Sequence, residues 1–351
     1  IYTEKTECQD CYKCVRACPV KAIRVIDGSA AVIPEACILC GRCTEVCPVG
    51  AKKVRDDLHL AKELVAEHKH VYVSLAPSYR TEFSGLASGK LIAAIKALGF
   101  SGVSETALGA QEVSSACATL LAEGKTKLLI SSCCPSAIHL IEQYYPHLTQ
   151  YVTPVRSPLM AHGRILKNIF GTEIKVVFFG PCVAKKNESG DCFDLALTFS
   201  DLRRWFTQAE IDWTSLNDRE EFVPNNASRG VLYPVDGGMI DGIKSYLDLD
   251  VHYMTFSGVE DIMAAFEDIE VQDLDKPMFI EVLSCSGGCV NGPATSSRGS
   301  TANKRCRIYD YVESASGPES LQPDEIKFAF APRQIIKATH SKADIAAALL
   351  K

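Results

Sequence analysis

Cysteines at short, repeated spacings are the residues of this chain best suited to do chemistry. Near the N-terminus, a C-x2-C-x2-C-x3-C run ends in Cys18-Pro19, and the same run starts again at Cys37 and ends in Cys47-Pro48. Closely spaced thiolates are the ligands that hold iron–sulfur clusters. The sequence therefore predicts cluster binding by Cys8, Cys11, Cys14, Cys18, Cys37, Cys40, Cys43 and Cys47.

The two runs have the spacing of bacterial ferredoxins, in which the fourth cysteine of each run binds the other cluster. A zinc ribbon is the alternative for closely spaced cysteines, but the two terminal Cys-Pro pairs favour clusters. Crossed ligation explains how so short a segment folds, because each cluster joins both halves of a module with little core. We predict one [4Fe–4S] cluster on Cys8, Cys11, Cys14 and Cys47, and another on Cys37, Cys40, Cys43 and Cys18.

Three further cysteine motifs lie far downstream, and together they predict a second kind of metal centre. They are Ser-Cys-Cys-Pro at 132–135, Gly-Pro-Cys at 180–182 and Cys-Ser-Gly-Gly-Cys at 285–289. The glycines of the last motif let the backbone approach a cluster closely. Lys185 would bring a positive charge to such an anionic centre, although a surface lysine beside Lys186 is an equally simple interpretation. Four thiolates suffice for a third cubane, namely Cys134, Cys182, Cys285 and Cys289.

Alternating strand and helix patterns follow the N-terminal module. Apolar runs at 71–75, 127–130, 174–179 and 278–283 predict buried strands, and helical spacing recurs at 91–98, 137–145, 159–170 and 259–266. This alternation predicts an α/β fold with a largely parallel sheet, and three strands lead directly into the three cysteine motifs. We predict a capping box at Ser257 and Glu260, and a loop over the polar segment 295–304.

The domain boundaries follow from this organisation. Residues 1–56 are predicted to form a small α+β ferredoxin-like domain with two clusters, and residues 57–351 the larger α/β domain. The formal charge of −6 argues against nucleic-acid binding, which depends on a positively charged surface. No segment approaches the roughly 18 consecutive apolar residues of a membrane span. Thiolate clusters need a reducing setting, so we expect a cytoplasmic protein and no disulfide scaffold.

The downstream motifs resemble the three signature loops of [FeFe]-hydrogenases, in the same order and after the same kind of cluster module. The resemblance implies an H-cluster, which is a [4Fe–4S] cluster on the four downstream ligand cysteines joined to a di-iron subcluster with CO, cyanide and azadithiolate. Cys289 would bridge the two parts, Lys185 would hydrogen-bond a cyanide, and Cys133 would pass protons to the bridging amine. The resemblance further implies that the loop formed by Ala76, Pro77 and Ser78, together with Pro181, packs against the di-iron unit.

Departures from the family pattern gather around the implied active site. Two glutamates that relay protons in fast members align with Cys117 and Leu120, and a relay serine aligns with Thr153. Neither a cysteine nor a leucine has a carboxylate, so the usual relay would be interrupted. Residues of the signature loops differ as well, at Ser136, Ala137, Gly180, Leu283 and the segment Gly292-Pro293-Ala294.

These departures resemble a divergent branch of the family that is associated with hydrogen sensing. We expect slow interconversion of H2 with protons and electrons, a ferredoxin or similar redox partner, and maturases that supply the di-iron unit. The sensory interpretation also predicts signalling domains beyond Lys351 and a chain that is part of a longer protein. An ordinary catalytic hydrogenase and a non-enzymatic iron–sulfur assembly protein are the alternatives.

Overall fold

The N-terminal segment forms short elements around its cysteines. The computed structural model of the chain describes residues 1–188, 190–247, 249–297, 299–314 and 329–333. Strand β1 pairs with β4 and β2 pairs with β3, both antiparallel. Tyr12 and Gly41, which precede the two helices, both have positive φ, so the two cysteine runs repeat in backbone conformation as well as in sequence. The elements are β1 (Tyr2–Thr3), α1 (Lys13–Ala17), β2 (Ile23–Ile26), β3 (Ser29–Val32), α2 (Arg42–Glu45) and β4 (Lys52–Lys53).

The larger part of the chain alternates helices and strands. None of the helices among the described residues is long and apolar enough to cross a membrane. In chain order the elements are α3 (Leu58–Glu67), β5 (Val71–Leu75), α4 (Tyr79–Glu82), α5 (Ser88–Ala97), β6 (Gly102–Glu105), α6 (Ala107–Glu123), β7 (Leu128–Ile130), α7 (Pro135–Tyr144), α8 (Pro158–Phe170), β8 (Lys175–Gly180), β9 (Leu195–Thr198), α9 (Phe199–Gln208), α10 (Gly238–Tyr246), β10 (His252–Ser257), α11 (Val259–Phe266), β11 (Met278–Leu283) and α12 (Thr301–Ser314).

Two parallel sheets carry the fold, as the sequence predicted. One has the strand order β6-β5-β8-β9 and the other the order β10-β11-β7. Strands β8 and β11 are nearly continuous apolar runs, as is typical of parallel strands that are buried on both faces. In β8, for example, Val176, Val177 and Phe179 are fully buried. The carboxyl ends of β5, β7, β8 and β11 are therefore the places where polar and ligating side chains can emerge.

The structure corrects two local predictions. Helix α11 begins after Gly258 rather than through a capping box, because Ser257 Oγ accepts the backbone N–H of Gly287 instead. The carboxylate of Glu260 pairs with Arg42 of the N-terminal module. The polar segment predicted as a loop ends earlier than expected, since α12 begins at Thr301.

A buried ion network of the larger domain is contacted by Arg55 of the N-terminal module. Lys186 Nζ lies 3.2 Å from an oxygen of Asp57 and 3.2 Å from one of Asp201, and its side chain is 5% exposed. The Arg55 guanidinium binds Asp57 and donates to the backbone carbonyl of Lys186 at 3.0 Å. Two hydroxyls of α7 add to this junction: Ser136 Oγ donates to the carbonyl of Ile38, and Tyr144 donates to that of Ala36, each at 2.7 Å.

Candidate metal centre

A cavity of about 110 Å³ lies where four parallel strands end. The segments that follow β5, β7, β8 and β11 supply most of its walls, as expected for ligands outside the carboxyl ends of parallel strands. Every residue predicted for the downstream site lines this one cavity: Ala76, Pro77, Ser78, Cys133, Cys134, Pro181, Cys182, Lys185, Cys285 and Cys289.

The four predicted ligand thiols are partly buried on one cavity wall and interact electrostatically. Burial raises the pKa of Cys182 to about 11, and it raises the pKa values of Cys285 and Cys289 above their ordinary range. The neighbouring thiolates, Cys134 among them, raise these pKa values further. Thiols in such surroundings are deprotonated when a metal compensates their charge, so the donor set fits a buried cluster.

A single ion does not fit this arrangement. Among the described residues, no three His, Cys, Asp or Glu side chains are placed to hold one metal ion. The four cysteines line one cavity instead, and a cubane binds such a set with one thiolate at each of four corners. The geometry therefore accommodates a cluster of several atoms.

The polar groups on the cavity wall suit an anionic group. Lys185 is 8% exposed, and its Nζ lies 2.8 Å from Glu188 Oε2. Burial lowers the pKa of Lys185, but Glu188 and the nearby thiolates outweigh this effect and raise it, so the side chain stays charged. The hydroxyl of Ser78 is buried and has no hydrogen-bond partner among the described residues. A buried donor of this kind indicates a bound acceptor.

Cys133 occupies a different place on the wall from its neighbour. Its Sγ lies 3.5 Å from Met239 Sδ, whereas Cys134 Sγ lies 3.6 Å from Ser284 Oγ. Burial raises the pKa of Cys133 well above its ordinary value, so its thiol is protonated at neutral pH. The structure thus presents Cys133 as a proton-carrying group on the same cavity as the ligands.

Backbone conformation in the third motif depends on its glycines. Gly287 and Gly288 have φ values of 77° and 92°, which disfavour residues with a side chain. A Cβ on Gly288 would lie 2.3 Å from the carbonyl oxygen of Pro234. The two glycines therefore allow the chain to carry Cys285 and Cys289 to the same cavity.

Cys117 and Thr153, which align with proton-relay residues of the family, belong to a row of hydrogen bonds that ends inside the protein. Cys117 is fully buried and lies within hydrogen-bond reach of Thr153. Thr153 donates to Ser132 Oγ at 2.9 Å, and Ser132 donates to the carbonyl of Val155 at 2.7 Å. A carbonyl accepts a hydrogen bond but has no proton to pass on. This row does not continue to the surface through these groups.

The N-terminal cysteines gather in the two sets that crossed ligation requires. A small cavity is lined by Cys8, Cys11, Cys14 and Cys47, and Cys18 is not part of its wall. The other set is more deeply buried, and burial raises the pKa values of Cys40 and Cys43 to about 12. The thiolates of Cys18 and Cys37 add to these shifts. Cys40 also lines the central cavity, which places this second set next to the downstream site.

Sequence reasoning missed two buried polar side chains near Cys133. Glu281 lies within β11, where burial raises its pKa to about 7, and it accepts a hydrogen bond from the backbone N–H of Met239 at 3.3 Å. Tyr233 lines the central cavity. A glutamate inside an otherwise apolar strand was a signal for the first, because buried carboxylates are rare. Tyr233 had no such signal, since it follows no motif.

Comparison with known families gives two matches that together span most of the chain. The family model described as iron only hydrogenase large subunit, C-terminal domain, matches residues 69–293. The model described as 4Fe-4S dicluster domain matches residues 1–57.

Individual relatives agree with the family matches. Iron hydrogenase 1 of Clostridium pasteurianum is 27% identical over 289 residues, which cover 65% of this chain and 50% of that protein. The NADP-reducing hydrogenase subunit HndD of Solidesulfovibrio fructosivorans is 26% identical, over 66% of this chain and 51% of that protein. The chain thus spans about half the length of these two relatives.

A solved structure shares the fold. A variant of [FeFe]-hydrogenase HydA1 from Chlamydomonas reinhardtii superposes with a TM-score of 0.56 and 18% identity, covering 73% of this chain and 89% of that one. The likeness shows a common architecture for the domain that holds the central cavity.

Proposed function

Because this chain belongs to the iron-only, or [FeFe]-, hydrogenase family, we propose that it interconverts H2 with protons and electrons at an H-cluster in the central cavity. One observation carries the proposal: four cysteines from three loops line a single cavity together with Cys133 and Lys185. The assembly-protein alternative requires neither of these last two residues at the site. Their position on the same cavity wall as the ligand thiols therefore favours the hydrogenase.

Each residue around the cavity has a role in this proposal. Cys134, Cys182, Cys285 and Cys289 would hold the H-cluster through its [4Fe–4S] part. When bound, the di-iron unit with its CO, cyanide and azadithiolate ligands supplies the redox chemistry of H2. Lys185 would provide a charged donor, and Ala76, Pro77, Ser78 and Pro181 contribute to the wall of the same cavity.

The protein's own side chains supply the proton and the dry surroundings. Cys133 holds a proton on its sulfur at neutral pH and presents it to the cavity. The walls near it are largely apolar, with Leu159, Phe178 and Leu283 among them. Excluding water strengthens the interaction of Lys185 with an anionic ligand, because the local dielectric is low.

Electrons would reach this site through the N-terminal module. We propose two [4Fe–4S] clusters there, with the ligand sets Cys8, Cys11, Cys14, Cys47 and Cys37, Cys40, Cys43, Cys18. Ferredoxin-type clusters have potentials near −400 mV, which suits exchange with a ferredoxin or a similar carrier. We place the domain boundary after residue 56, since Asp57 precedes the first residue of α3.

A sensory role with slow turnover is the finer part of the proposal. Its support is the interrupted relay, in which Cys117 and Leu120 occupy the glutamate positions and the remaining chain ends at the carbonyl of Val155. Slow proton supply limits turnover but still permits a change of redox state when H2 arrives. We further propose cytoplasmic location, dependence on maturases and coupling to downstream signalling domains.

Anaerobic iron counting with infrared spectroscopy tests the cofactor. Protein produced without maturases should contain three cubanes, and bands of metal-bound CO and cyanide should appear only after the di-iron unit is supplied. Absence of these bands in matured protein that retains its cubanes would support the assembly-protein alternative.

Turnover measurements test the sensory role. We expect H2 oxidation far below that of fast relatives, together with an infrared response to H2. The double substitution C117E/L120E should raise the rate if the missing carboxylates limit it, and the C117Q/L120Q protein is the matched control. A wild-type rate equal to that of fast relatives would leave the sensory role without support.

A further inference from the structure

The cavity wall carries a hydroxyl that leads away from the ligand cysteines. Tyr233 lines the central cavity and is buried, and its hydroxyl oxygen lies 2.8 Å from Oγ of Ser114 in α6. Each hydroxyl can donate and accept a hydrogen bond at the same time. The pair can therefore pass a proton without either group becoming charged.

Ser114 also lines a second, small cavity. That cavity measures about 10 Å³, which is close to the space that one water molecule requires. Gln111, Ser228 and Ser245 contribute to its walls with Ser114, so a water there has several hydrogen-bond partners. Arg229 also lines it, and both Arg229 and Ser245 are exposed to solvent. Polar side chains therefore lie between Tyr233, on the wall of the central cavity, and the exposed residues Arg229 and Ser245.

The packing of two helices preserves this connection. Gly242 of α10 faces Ser114, and a Cβ at this glycine would lie 2.5 Å from Ser114 Oγ. A larger residue would push the hydroxyl aside or fill the small cavity. The glycine therefore leaves room for the serine hydroxyl between α6 and α10.

Two other polar groups near Cys133, namely Cys117 and Glu281, offer protons less direct routes to the surface. The chain from Cys117 through Thr153 and Ser132 ends at a carbonyl, as described above. The carboxylate of Glu281 interacts with Met239 N and, at 3.4 Å, with Thr255 Oγ1, but Glu281 does not line the central cavity. Tyr233 does line the central cavity, and its hydrogen-bond partner Ser114 lines the small cavity next to the exposed Arg229 and Ser245.

We propose that Tyr233 and Ser114 carry protons between the central cavity and solvent in place of the family's glutamate relay. Tyr233 accepts a proton on its oxygen from the cavity side as its own hydroxyl proton moves to Ser114, and the Ser114 proton moves to water. Each O–H bond that breaks is matched by one that forms, and no electrons are transferred. The use of these protons in H2 chemistry rests on the proposed function, whereas the route itself does not.

The exchange of the Cys133 thiol hydrogen with D2O tests the route without the di-iron unit. Full-length protein with its cubanes, produced without maturases, is transferred to D2O, and the loss of the S–H infrared band of Cys133 is followed. The band is assigned by difference from the C133S protein. We expect Y233F and S114A each to slow this exchange on the order of tenfold, which corresponds to about 1.4 kcal/mol on the barrier.

Controls separate the route from local unfolding. Y145F removes a hydroxyl from a tyrosine that contacts Met263 O and lies off the proposed route, so exchange should match the wild type. The buried thiol of Cys192 serves as an internal reference and should exchange at the same rate in all variants. Unchanged Cys133 exchange in Y233F and S114A would overturn the proposal, as would slowing confined to T153V or E281Q. Missing CO and cyanide bands in matured protein would instead count against the proposed function alone.

Discussion

The hydroxyl of Tyr311 in α12 donates a 2.8 Å hydrogen bond to Oε1 of Glu105 at the end of β6. The other carboxyl oxygen of Glu105 accepts the backbone N–H of Ala227 at 2.8 Å. Arg80 lies over the Tyr311 ring, 3.9 Å from its centroid. Burial raises the pKa of Glu105 to about 7, so the protonated form is favoured in the folded protein.

This shift predicts a pH dependence of stability. The folded protein retains a proton on Glu105 that the unfolded chain releases near its ordinary pKa, so the free energy of unfolding falls as the pH rises from about 4.5 to about 7. Deprotonation of Glu105 lowers the free energy of unfolding by at most about 3 kcal/mol. E105Q should reduce the pH dependence, measured as the change in Tm between the two pH values. E63Q, at an exposed glutamate, should retain the full dependence, and identical profiles for wild type and E105Q would contradict the assignment.

The two adjacent cysteines should respond differently to substitution. C134A should lose the cubane of the central cavity, which is about four iron atoms per chain, because a thiolate ligand is missing. C133A should keep the full iron content and lose only proton exchange at the site. Iron and sulfide assays with electron paramagnetic resonance measure the difference. Equal iron loss in both variants would mean that the roles of the two cysteines were assigned wrongly.

Lys185 should govern retention of the di-iron unit rather than of the cubane. A charge-assisted hydrogen bond contributes about 1.5–3 kcal/mol, so K185M should weaken retention roughly ten- to a hundredfold. Infrared band intensity per cubane after maturation measures this effect. K185R keeps the charge and should retain more of the unit than K185M does. If K185M and wild type gave equal intensities, Lys185 would have no part in binding.

Gly288 should tolerate substitution far less than another glycine of positive φ. G288A adds a clash with the Pro234 carbonyl to backbone strain, and we expect a loss of roughly 3 kcal/mol or more in the free energy of unfolding. Gly28 has a φ of 72°, but nothing lies within 4 Å of its Cβ position. G28A should therefore cost only about 1 kcal/mol. Thermal unfolding of the two variants compares them directly. Similar losses of stability would show that the clash with the Pro234 carbonyl does not determine the cost of G288A.

The strands next to the site could be predicted from the sequence because parallel strands are buried on both faces. The strands predicted at 71–75 and 278–283 match β5 and β11, and the other two predicted strands are shifted by about one residue. Strands β6, β9 and β10 were missed because they are short or half-exposed, as β10 is with His252 and Met254 in solvent. Helix α12 was missed because its first residues are polar.

The gathering of the cysteines could be predicted in outline, since motifs that follow parallel strands meet at one edge. The contacts made by the residues around these cysteines could not be predicted. Neither the proximity of Tyr233 to Ser114 nor that of Lys186 to Asp57 follows from sequence spacing, because the tertiary fold brings together residues that are far apart in the chain. The same holds for Glu188, whose contact with Lys185 depends on the turn between them.

The hydrogen bonds from Ser136 and Tyr144 to the backbone around Cys37 and Cys40 have a consequence for electron supply. They connect the predicted inner ligand set to the helix that begins beside Cys134, and Arg55 adds a further contact between the module and the larger domain. Under the proposed function, we therefore expect electron transfer to the central site not to depend on docking and release of the module. We expect this electron transfer to be controlled instead by the reduction potentials of the proposed clusters and by the external electron carrier.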